Sequence, residues 1–125
     1  TKGYSDEQKS IYDIVLNAQV KSIEGIKSGM SCKSIDSIAR DHIANAGYSK
    51  FFDHGLGHSL GLEIHEDPRF SKVSEDVLEE NYVMTVEPGI YVPDIGGVRI
   101  EDDIIVTKNG AEILNKTSKE FQVIS

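Results

Sequence analysis

Three histidines lie within twelve residues of one another, separated by glycines, in the segment HGLGHSLGLEIHE over residues 54–66. His54, His58 and His65 supply imidazole nitrogens that can ligate a metal ion or transfer a proton near neutral pH. The glycines between them allow the backbone to turn sharply and to approach a ligand closely. One such histidine alone would usually be an exposed loop residue, but three in this frame indicate a ligand or catalytic site.

Two glutamates in strand-like sequence add carboxylates to this set. Glu87 ends an apolar run in MTVEPGIY, directly before a Pro-Gly turn, and Glu101 shares one strand face with Arg99 in GGVRIEDDIIVT. Each carboxylate alone fits an ordinary solvated strand end. Together with an imidazole, however, two strand carboxylates form a ligand set for a divalent cation.

The donor chemistry of this set favours Mn²⁺, because oxygen-rich sites with one imidazole suit that ion, with Co²⁺, Zn²⁺ and Fe²⁺ as alternatives. A carboxylate that bridges two metals would allow a shared water molecule to be activated for hydrolysis. From the residues alone we therefore predict a divalent-metal hydrolase and nothing narrower.

Acidic residues are concentrated in the same part of the chain. The net charge is −8, and residues 53–103 contain 13 acidic and 3 basic residues, whereas the rest of the chain contains 8 and 10. Acidic side chains beside histidines are typical of a cation site, and the sequence has no basic patch that could neutralise phosphates. We therefore expect a metal rather than a nucleic acid as partner.

The chain has 125 residues, of which 38% are hydrophobic and 27% charged, as is typical of one globular domain. No apolar run approaches the roughly 20 residues that a membrane span needs, and no signal peptide opens the sequence. The single cysteine, Cys32, cannot form an internal disulfide, which favours a reducing, cytoplasmic location. Because the chain begins at Thr1 and runs at once into helical sequence, we expect it to be a piece of a longer protein.

Two helices should open the chain and position the histidine loop and the strands. Ser5 and Gln8 match a capping box, and an apolar stripe extends from there to Ile26, so the pattern predicts a first helix that ends at Ser28-Gly29. A second helix should be capped by Ser31 and closed by Gly47 in the left-handed conformation.

Short strands should follow from Tyr82 onward, because apolar runs alternate with turn signals there. The predicted strands are Val83–Val86, Ile90–Val92, Val98–Ile100, Ile104–Val106 and Ile113–Leu114, and Asn109-Gly110 is a strong hairpin signal. Two helices followed by antiparallel strands define an α+β fold.

These motifs resemble the three C-terminal signatures of the creatinase/aminopeptidase P/prolidase family of metallopeptidases. HGLGHSLGLEIHEDPR, MTVEPGIY and GGVRIEDDIIVT match them in order, and flanking residues fit over nearly the whole chain. The resemblance implies the pita-bread fold, here its two helices and curved antiparallel sheet. The frame His54-Gly-x-Gly-His58 is similar to the Xaa-Pro branch, whose members hydrolyse the peptide bond before proline through a hydroxide that bridges two metals.

The resemblance also implies a ligand set. The family binds two divalent metals through two aspartates, one histidine and two glutamates; His58 matches the histidine, Glu87 the first glutamate and Glu101 the second, which bridges both metals. The two aspartates have no counterpart, since Asp6 and Asp13 lie in helical sequence. With three of five ligands, residues 1–125 are expected to be the C-terminal part of the catalytic domain, inactive alone.

Catalytic roles carry over in the same way. Glu87 matches the family's proton acceptor, and His65 matches the histidine that contacts the substrate carbonyl or the developing oxyanion. His54 matches a histidine at the substrate pocket, and Arg99 matches an arginine that orients a carboxylate ligand.

The resemblance implies a proline-containing peptide as substrate, either a dipeptide, as for prolidase, or a longer peptide, as for aminopeptidase P. We expect no membrane partner, a homodimer of the full-length protein, and self-association of the isolated piece through an exposed sheet edge. A non-catalytic pita-bread module that binds peptides or proteins is one alternative, which the intact His58, Glu87 and Glu101 disfavour. A creatinase-type hydrolase is another, disfavoured because creatinase lacks the metals.

Overall fold

The computed structural model describes residues 5–59, 68–118 and 121–122 and has two helices followed by short antiparallel strands, as predicted. The elements are α1 (Asp6–Glu24), α2 (Cys32–Asn45), a short 3-10 helix (Ser49–Phe51), β1 (Gly57–His58), β2 (Arg69–Phe70), β3 (Val83–Val86), β4 (Gly89–Val92), β5 (Gly96–Arg99), β6 (Glu101–Val106), β7 (Ala111–Ser118) and β8 (Phe121–Gln122).

Helix α1 begins at the predicted capping box but ends earlier than predicted. The Gln8 backbone N–H donates to Ser5 Oγ at 3.1 Å, and the Ser5 N–H donates to Gln8 Oε1 at 2.8 Å. The expected extension to Ser28-Gly29 was wrong, because the helix stops at Glu24 and Gly25 caps it. A Cβ at Gly25 would lie 2.6 Å from Ile38 Cδ1, so any larger residue there would require the Ile38 side chain of α2 to move.

Helix α2 has both of its predicted ends. Ser31 Oγ accepts from the Ser34 N–H at 3.0 Å. Gly47 has a φ of 95°, its N–H donates to Ala44 O at 2.9 Å, and the Tyr48 N–H donates to Ile43 O at 3.1 Å. These two bonds form a Schellman motif, which satisfies carbonyls that the helix end leaves open.

A long hairpin dominates the strand region. One arm of the hairpin contains β3 and β4, and the other contains β5 and β6. Val83 pairs with Ile105 at the open end and Val92 pairs with Gly96 at the turn, and the pairing register is the same in both sheets. The ladder is interrupted only around Pro88, which has no N–H to donate, although its carbonyl accepts from Ile100 N at 3.2 Å. The antiparallel strands are thereby divided into three short sheets, in the orders β1-β2, β3-β6-β7 and β4-β5-β8.

The predicted Asn109-Gly110 turn joins β6 to β7, and the Thr107 N–H donates to Gly110 O across it at 2.8 Å. The helices pack on the hairpin through a core that draws on both, including Ile11, Ile35, Met84 and Ile104. No helix in the described part of the chain is long and apolar enough to cross a membrane.

Candidate functional site

The hairpin brings the two predicted glutamate ligands face to face. Val86 pairs with Asp102 and Gly89 pairs with Arg99, so the unbroken register places Glu87 opposite Glu101. Side chains directly opposite one another on antiparallel strands have Cβ atoms about 4.5–5.5 Å apart. Two like charges at that distance are unfavourable unless a cation lies between or beside them.

Arg99 supplies positive charge to both glutamates, but at long range. Its Nε lies 3.9 Å from Glu87 Oε1 and its Nη2 lies 3.9 Å from Glu101 Oε1. Burial raises the pKa of Glu101, and the Glu87 carboxylate raises it further, while Arg99 lowers it in part. The arginine therefore offsets the paired negative charge without saturating the carboxylate oxygens by short hydrogen bonds.

His58 meets Glu87 from a neighbouring strand. The His58 backbone N–H donates to Thr85 Oγ1 at 3.0 Å, and the Thr85 hydroxyl donates to Glu87 Oε2 at 2.7 Å. On the ring, Nδ1 lies 3.0 Å from Ser59 O, and Nε2 lies 3.6 Å from Glu87 Oε2. A proton on Nδ1, bonded to that carbonyl, leaves the Nε2 lone pair directed toward the carboxylate, which is how ligand histidines are usually oriented.

Gly57 makes this approach of β1 to β3 possible. A Cβ at residue 57 would overlap the Thr85 carbonyl oxygen. Thr85 is buried, so its backbone cannot move away without disturbing the core. Gly57, the second glycine in the frame His54-Gly-x-Gly-His58, is therefore required for a steric reason: its backbone is in close contact with the strand that leads to Glu87.

His54 lies on the loop before β1. Its Nδ1 is 2.7 Å from Gly55 O, and its ring meets the ring of Phe52 edge-on at 4.9 Å between centroids. Its Nε2 is buried and has no hydrogen-bond partner among the described residues. A Cβ on Gly89 would lie 3.3 Å from that nitrogen, so the imidazole packs against the hairpin.

These side chains border an open cleft of about 560 Å³. Its lining includes His54, His58, Arg69, Glu87, Tyr91 and Arg99. Glu101 is not in the lining and is linked to the cleft by its contact with Arg99. The structure thus unites five predicted site residues around the hairpin, while His65 lies outside the described residues.

The donors fit a divalent cation in their chemistry. An imidazole nitrogen and two carboxylates are hard and borderline donors of the kind such ions take, and the opposed glutamates have a charge that a cation would neutralise. Within residues 5–59, 68–118 and 121–122, however, no three His, Cys, Asp or Glu side chains lie close enough together to form a metal site. His58 and Glu87 are adjacent, and Glu101 lies on the opposite arm of the hairpin, 3.9 Å from Arg99.

Some residues that shape the site were not predicted. Thr85 joins His58 to Glu87, and its position two residues before Glu87 on the same strand could have indicated it. Asp36 and Arg40 form an ion pair on α2 that contacts the loop of His54. Their spacing of four residues indicates a helical pair, but nothing in the sequence indicates where that pair points.

Comparison with known proteins assigns the family. Residues 2–108 match the family described as "Metallopeptidase family M24". The chain belongs to that family. Metallopeptidase family M24 therefore accounts for most of this sequence, including all three motifs that contain the candidate site residues.

Individual relatives agree with this assignment. The chain is 56% identical over 117 residues to an Xaa-Pro dipeptidase of Pyrococcus horikoshii, covering 94% of the chain and 33% of that protein. Prolidase from Pyrococcus furiosus superposes with a TM-score of 0.87 at 52% identity, covering 94% of this chain and 35% of that one. An X-Pro aminopeptidase from Thermotoga maritima superposes with a TM-score of 0.85 at 44% identity, covering 96% of this chain and 34% of that one.

These solved relatives confirm the α+β pita-bread fold for this family member. The chain spans about a third of the length of the curated relatives it matches. The matched third contains the two helices, the histidine loop and the glutamate hairpin.

Proposed function

We propose that the protein to which this chain contributes is a metal-dependent Xaa-Pro peptidase, which hydrolyses the peptide bond before proline. One observation carries this proposal: Thr85 fixes His58 and Glu87 together at a cleft, with Glu101 opposite Glu87 on the hairpin. The names of the relatives, Xaa-Pro dipeptidase and prolidase, support the substrate class.

His58, Glu87 and Glu101 are the residues that would hold divalent cations, and Mn²⁺ is the ion we propose for this donor set. Bound divalent cations supply Lewis acidity and lower the pKa of a water molecule toward neutrality. Arg99, which contacts both carboxylates at 3.9 Å, would orient them. Two further aspartate ligands are proposed to lie elsewhere in the longer protein.

Glu87 is the proposed proton acceptor. Its Oε2 accepts the Thr85 hydroxyl, whereas its Oε1 lies 3.9 Å from Arg99 Nε, beyond hydrogen-bond distance. A carboxylate with one oxygen fixed and the other exposed to a cleft can take a proton without losing its orientation. His54 would contact the substrate, and His65 would stabilise the developing oxyanion.

Proline explains why a dedicated site is needed. The nitrogen of a bond before proline carries no hydrogen and its ring restricts the backbone, so an enzyme cannot recognise an N–H there. The cleft offers the Glu87 carboxylate, two imidazoles and the Arg69 and Arg99 guanidiniums, which would recognise the remaining polar groups of a short peptide. Both Xaa-Pro dipeptides and longer Xaa-Pro peptides are proposed as substrates.

The remaining expectations concern the whole protein. We propose that residues 1–125 form the C-terminal part of its catalytic domain and are inactive alone, since they span a third of the relatives. We also propose a cytoplasmic homodimer. Val20, Ile113 and Leu114 are exposed and apolar, which supports self-association of the isolated chain.

Peptide hydrolysis tests this function. The full-length protein with Mn²⁺ should hydrolyse the Xaa–Pro bond and release the N-terminal residue of Xaa-Pro peptides, should act poorly on matched Xaa-Ala peptides and creatine, and should lose activity with a chelator. A dipeptide and a tripeptide series separates the prolidase and aminopeptidase P activities. Full Xaa-Pro hydrolysis by a metal-free Glu101→Ala variant, or no hydrolysis with any divalent ion, would overturn the proposal.

A further inference from the structure

The loop that carries His54 is bound to helix α2 by two side chains, Arg40 and Asp36. Arg40 Nη1 donates to Phe52 O at 3.0 Å, and its Nη2 donates to His54 O at 2.9 Å. Both acceptors are backbone carbonyls, one of the histidine itself and one two residues before it. A guanidinium has donors in a fixed planar arrangement, so two such bonds set the direction of both carbonyls.

Asp36 completes this arrangement. Arg40 Nε donates to Asp36 Oδ2 at 2.8 Å and Nη2 donates to Oδ1 at 3.1 Å, while the Leu56 N–H donates to the same Oδ1 at 3.1 Å. The Asp36 side chain is 0% exposed and the Arg40 side chain 20%. The Asp36–Arg40 pair thus contacts the backbone at residues 52, 54 and 56, directly before β1.

Ring contacts extend the same connection to the imidazole. The Arg40 guanidinium carbon lies 4.3 Å from the centroid of the Phe52 ring. The Phe52 ring in turn meets the His54 ring edge-on, at 4.9 Å and 80°. The His54 ring has one polar contact within its own loop, where Nδ1 lies close to Gly55 O. Among the described residues, its Nε2 has no hydrogen-bond partner.

Glycines at positions 55 and 57 give this loop little stiffness of its own. The position of His54 must therefore be set by what the loop contacts. Backbone hydrogen bonds join Leu56 to Phe70 and Glu87 at 2.8 and 2.7 Å, and side-chain hydrogen bonds to residues 52, 54 and 56 come from the Asp36–Arg40 pair. Apolar residues of similar volume could replace a buried ion pair without loss of stability. They could not, however, orient three backbone groups at alternate residues.

We propose that Asp36 and Arg40 are positioning residues, which act through His54 on the candidate site. The part of this inference that concerns catalysis rests on the proposed peptidase function. The part that concerns the orientation of the imidazole rests only on the hydrogen bonds of the Asp36–Arg40 pair and the ring contacts of Phe52.

Histidine NMR tests the orientation directly. The chain has four histidines, so ¹⁵N-labelled histidine in the full-length protein gives a small set of ring signals for this part of it, and His54→Ala assigns one of them. We expect Asp36→Asn and Arg40→Lys to shift or broaden the His54 ring signals. Asp41→Asn, the same change at an exposed position of the same helix, should leave them unchanged.

His42 provides an internal control. It also lies on α2, where its Nδ1 is 3.3 Å from Lys21 Nζ, far from the loop in sequence. If α2 keeps its structure, the His42 signals should not move in either variant. Unchanged His54 signals in both variants would contradict the proposal, and so would His42 and His54 moving together with loss of the folded state, because the pair would then only support the fold.

A double-mutant cycle tests the catalytic part. With an Xaa-Pro dipeptide, Arg40→Lys should lower kcat/KM by about 10-fold, in the range of a lost supporting contact, and Asp41→Asn should not change it. In the His54→Ala background, Arg40→Lys should cause no further loss, because both changes remove the same interaction. If the losses in kcat/KM of the two single variants multiply in the double variant, the two residues act independently and the proposal is contradicted. A wild-type protein without Xaa-Pro activity would overturn the proposed function instead, and the NMR result would still decide the orientation.

Discussion

Two groups of arginine and carboxylate side chains in this molecule are built from the same chemistry and arranged in opposite ways. Asp36 and Arg40 lie 2.8 Å apart, with the Asp36 side chain buried and the Arg40 side chain 20% exposed, and they form hydrogen bonds with the loop backbone at residues 52, 54 and 56. Arg99 lies 3.9 Å from both Glu87 and Glu101, and its side chain is 52% exposed. The first group is closed and the second is open.

The difference indicates what each group can do. In the closed pair most donors and acceptors are already used by neighbouring groups, so its main role is to orient the chain around it. In the open group the glutamates are opposed across the hairpin, and each has a carboxylate oxygen 3.9 Å from Arg99, beyond hydrogen-bond distance. The open group thus has looser contacts with its arginine, while the closed pair fixes the loop beside it.

Glu87→Gln should have the largest effect, because it removes the proposed proton acceptor and a ligand from the open group. In the full-length protein, kcat for an Xaa-Pro peptide should fall by about 1000-fold, within the range for lost general base catalysis. Glu112→Gln on β7, where the glutamate is exposed, is the matched control. Equal activity of the two variants would remove Glu87 from the mechanism.

Asp36→Ala should break the closed pair and lower the free energy of unfolding by about 3 kcal/mol, since it leaves a largely buried guanidinium without its partner. Urea unfolding measures this loss. Asp41→Ala, at an exposed position of the same helix, should change stability by less than about 0.5 kcal/mol. Similar losses of unfolding free energy in both variants would mean that the Asp36–Arg40 pair contributes no more to stability than an exposed aspartate.

Cys32 is a buried residue on α2, the helix that carries the closed pair, and its burial favours the uncharged thiol. Burial and, to a smaller extent, the Asp76 carboxylate together raise the pKa of Cys32 from 9.0 to about 11. At pH 8 its alkylation by iodoacetamide should be about 100-fold slower than for an unfolded thiol, since the thiolate reacts. The protonated thiol is favoured in the folded state, so its contribution to stability is complete below pH 9 and is lost as the pH rises through about 11. Alkylation at the unfolded rate would contradict this.

Thr85→Val removes the one short hydrogen bond that orients Glu87 within the open group. It also leaves the partly buried His58 N–H without its acceptor, so the free energy of unfolding should fall by about 1–2 kcal/mol. Thr85→Ser keeps the hydroxyl and should restore most of the stability and of the kcat. If serine and valine behave alike, the methyl group and not the hydroxyl matters.

Glu101→Gln should have the smallest effect on stability, and in the opposite direction. Without metal, it removes one of two like charges that oppose each other on adjacent strands, so thermal unfolding in a chelator should show a gain of about 0.5 kcal/mol. With divalent cation present the same change should be unfavourable, because a ligand is lost. A loss in the chelator would show that Arg99 already compensates both glutamates.

Local signals in the sequence were sufficient for most of the fold. The caps at Ser5, Ser31 and Gly47 and the turn at Asn109-Gly110 depend on a few adjacent residues, and all four were confirmed. The end of α1 was wrong because Gly25 stops the helix where α2 packs against it. That contact depends on tertiary structure, so the apolar stripe continuing to Ile26 could not reveal it.

The site divides in the same way. His58, Glu87, Arg99 and Glu101 were found from motifs, and the hairpin register places the last three together. Arg40 could not be found, since its acceptors are 12 and 14 residues away and lie on a loop without periodicity. Residues that orient a site through backbone carbonyls leave no pattern of residue types to read.

Metal binding by the full-length protein tests the open group most directly. Equilibrium dialysis with Mn²⁺ should show binding by the wild type and by Glu112→Gln, and a loss of at least about 10-fold in affinity for the Glu87→Gln/Glu101→Gln double variant. Circular dichroism confirms that each protein is folded. Undiminished Mn²⁺ affinity in the folded double variant would contradict the proposal that these two opposed glutamates are ligands of a divalent metal site.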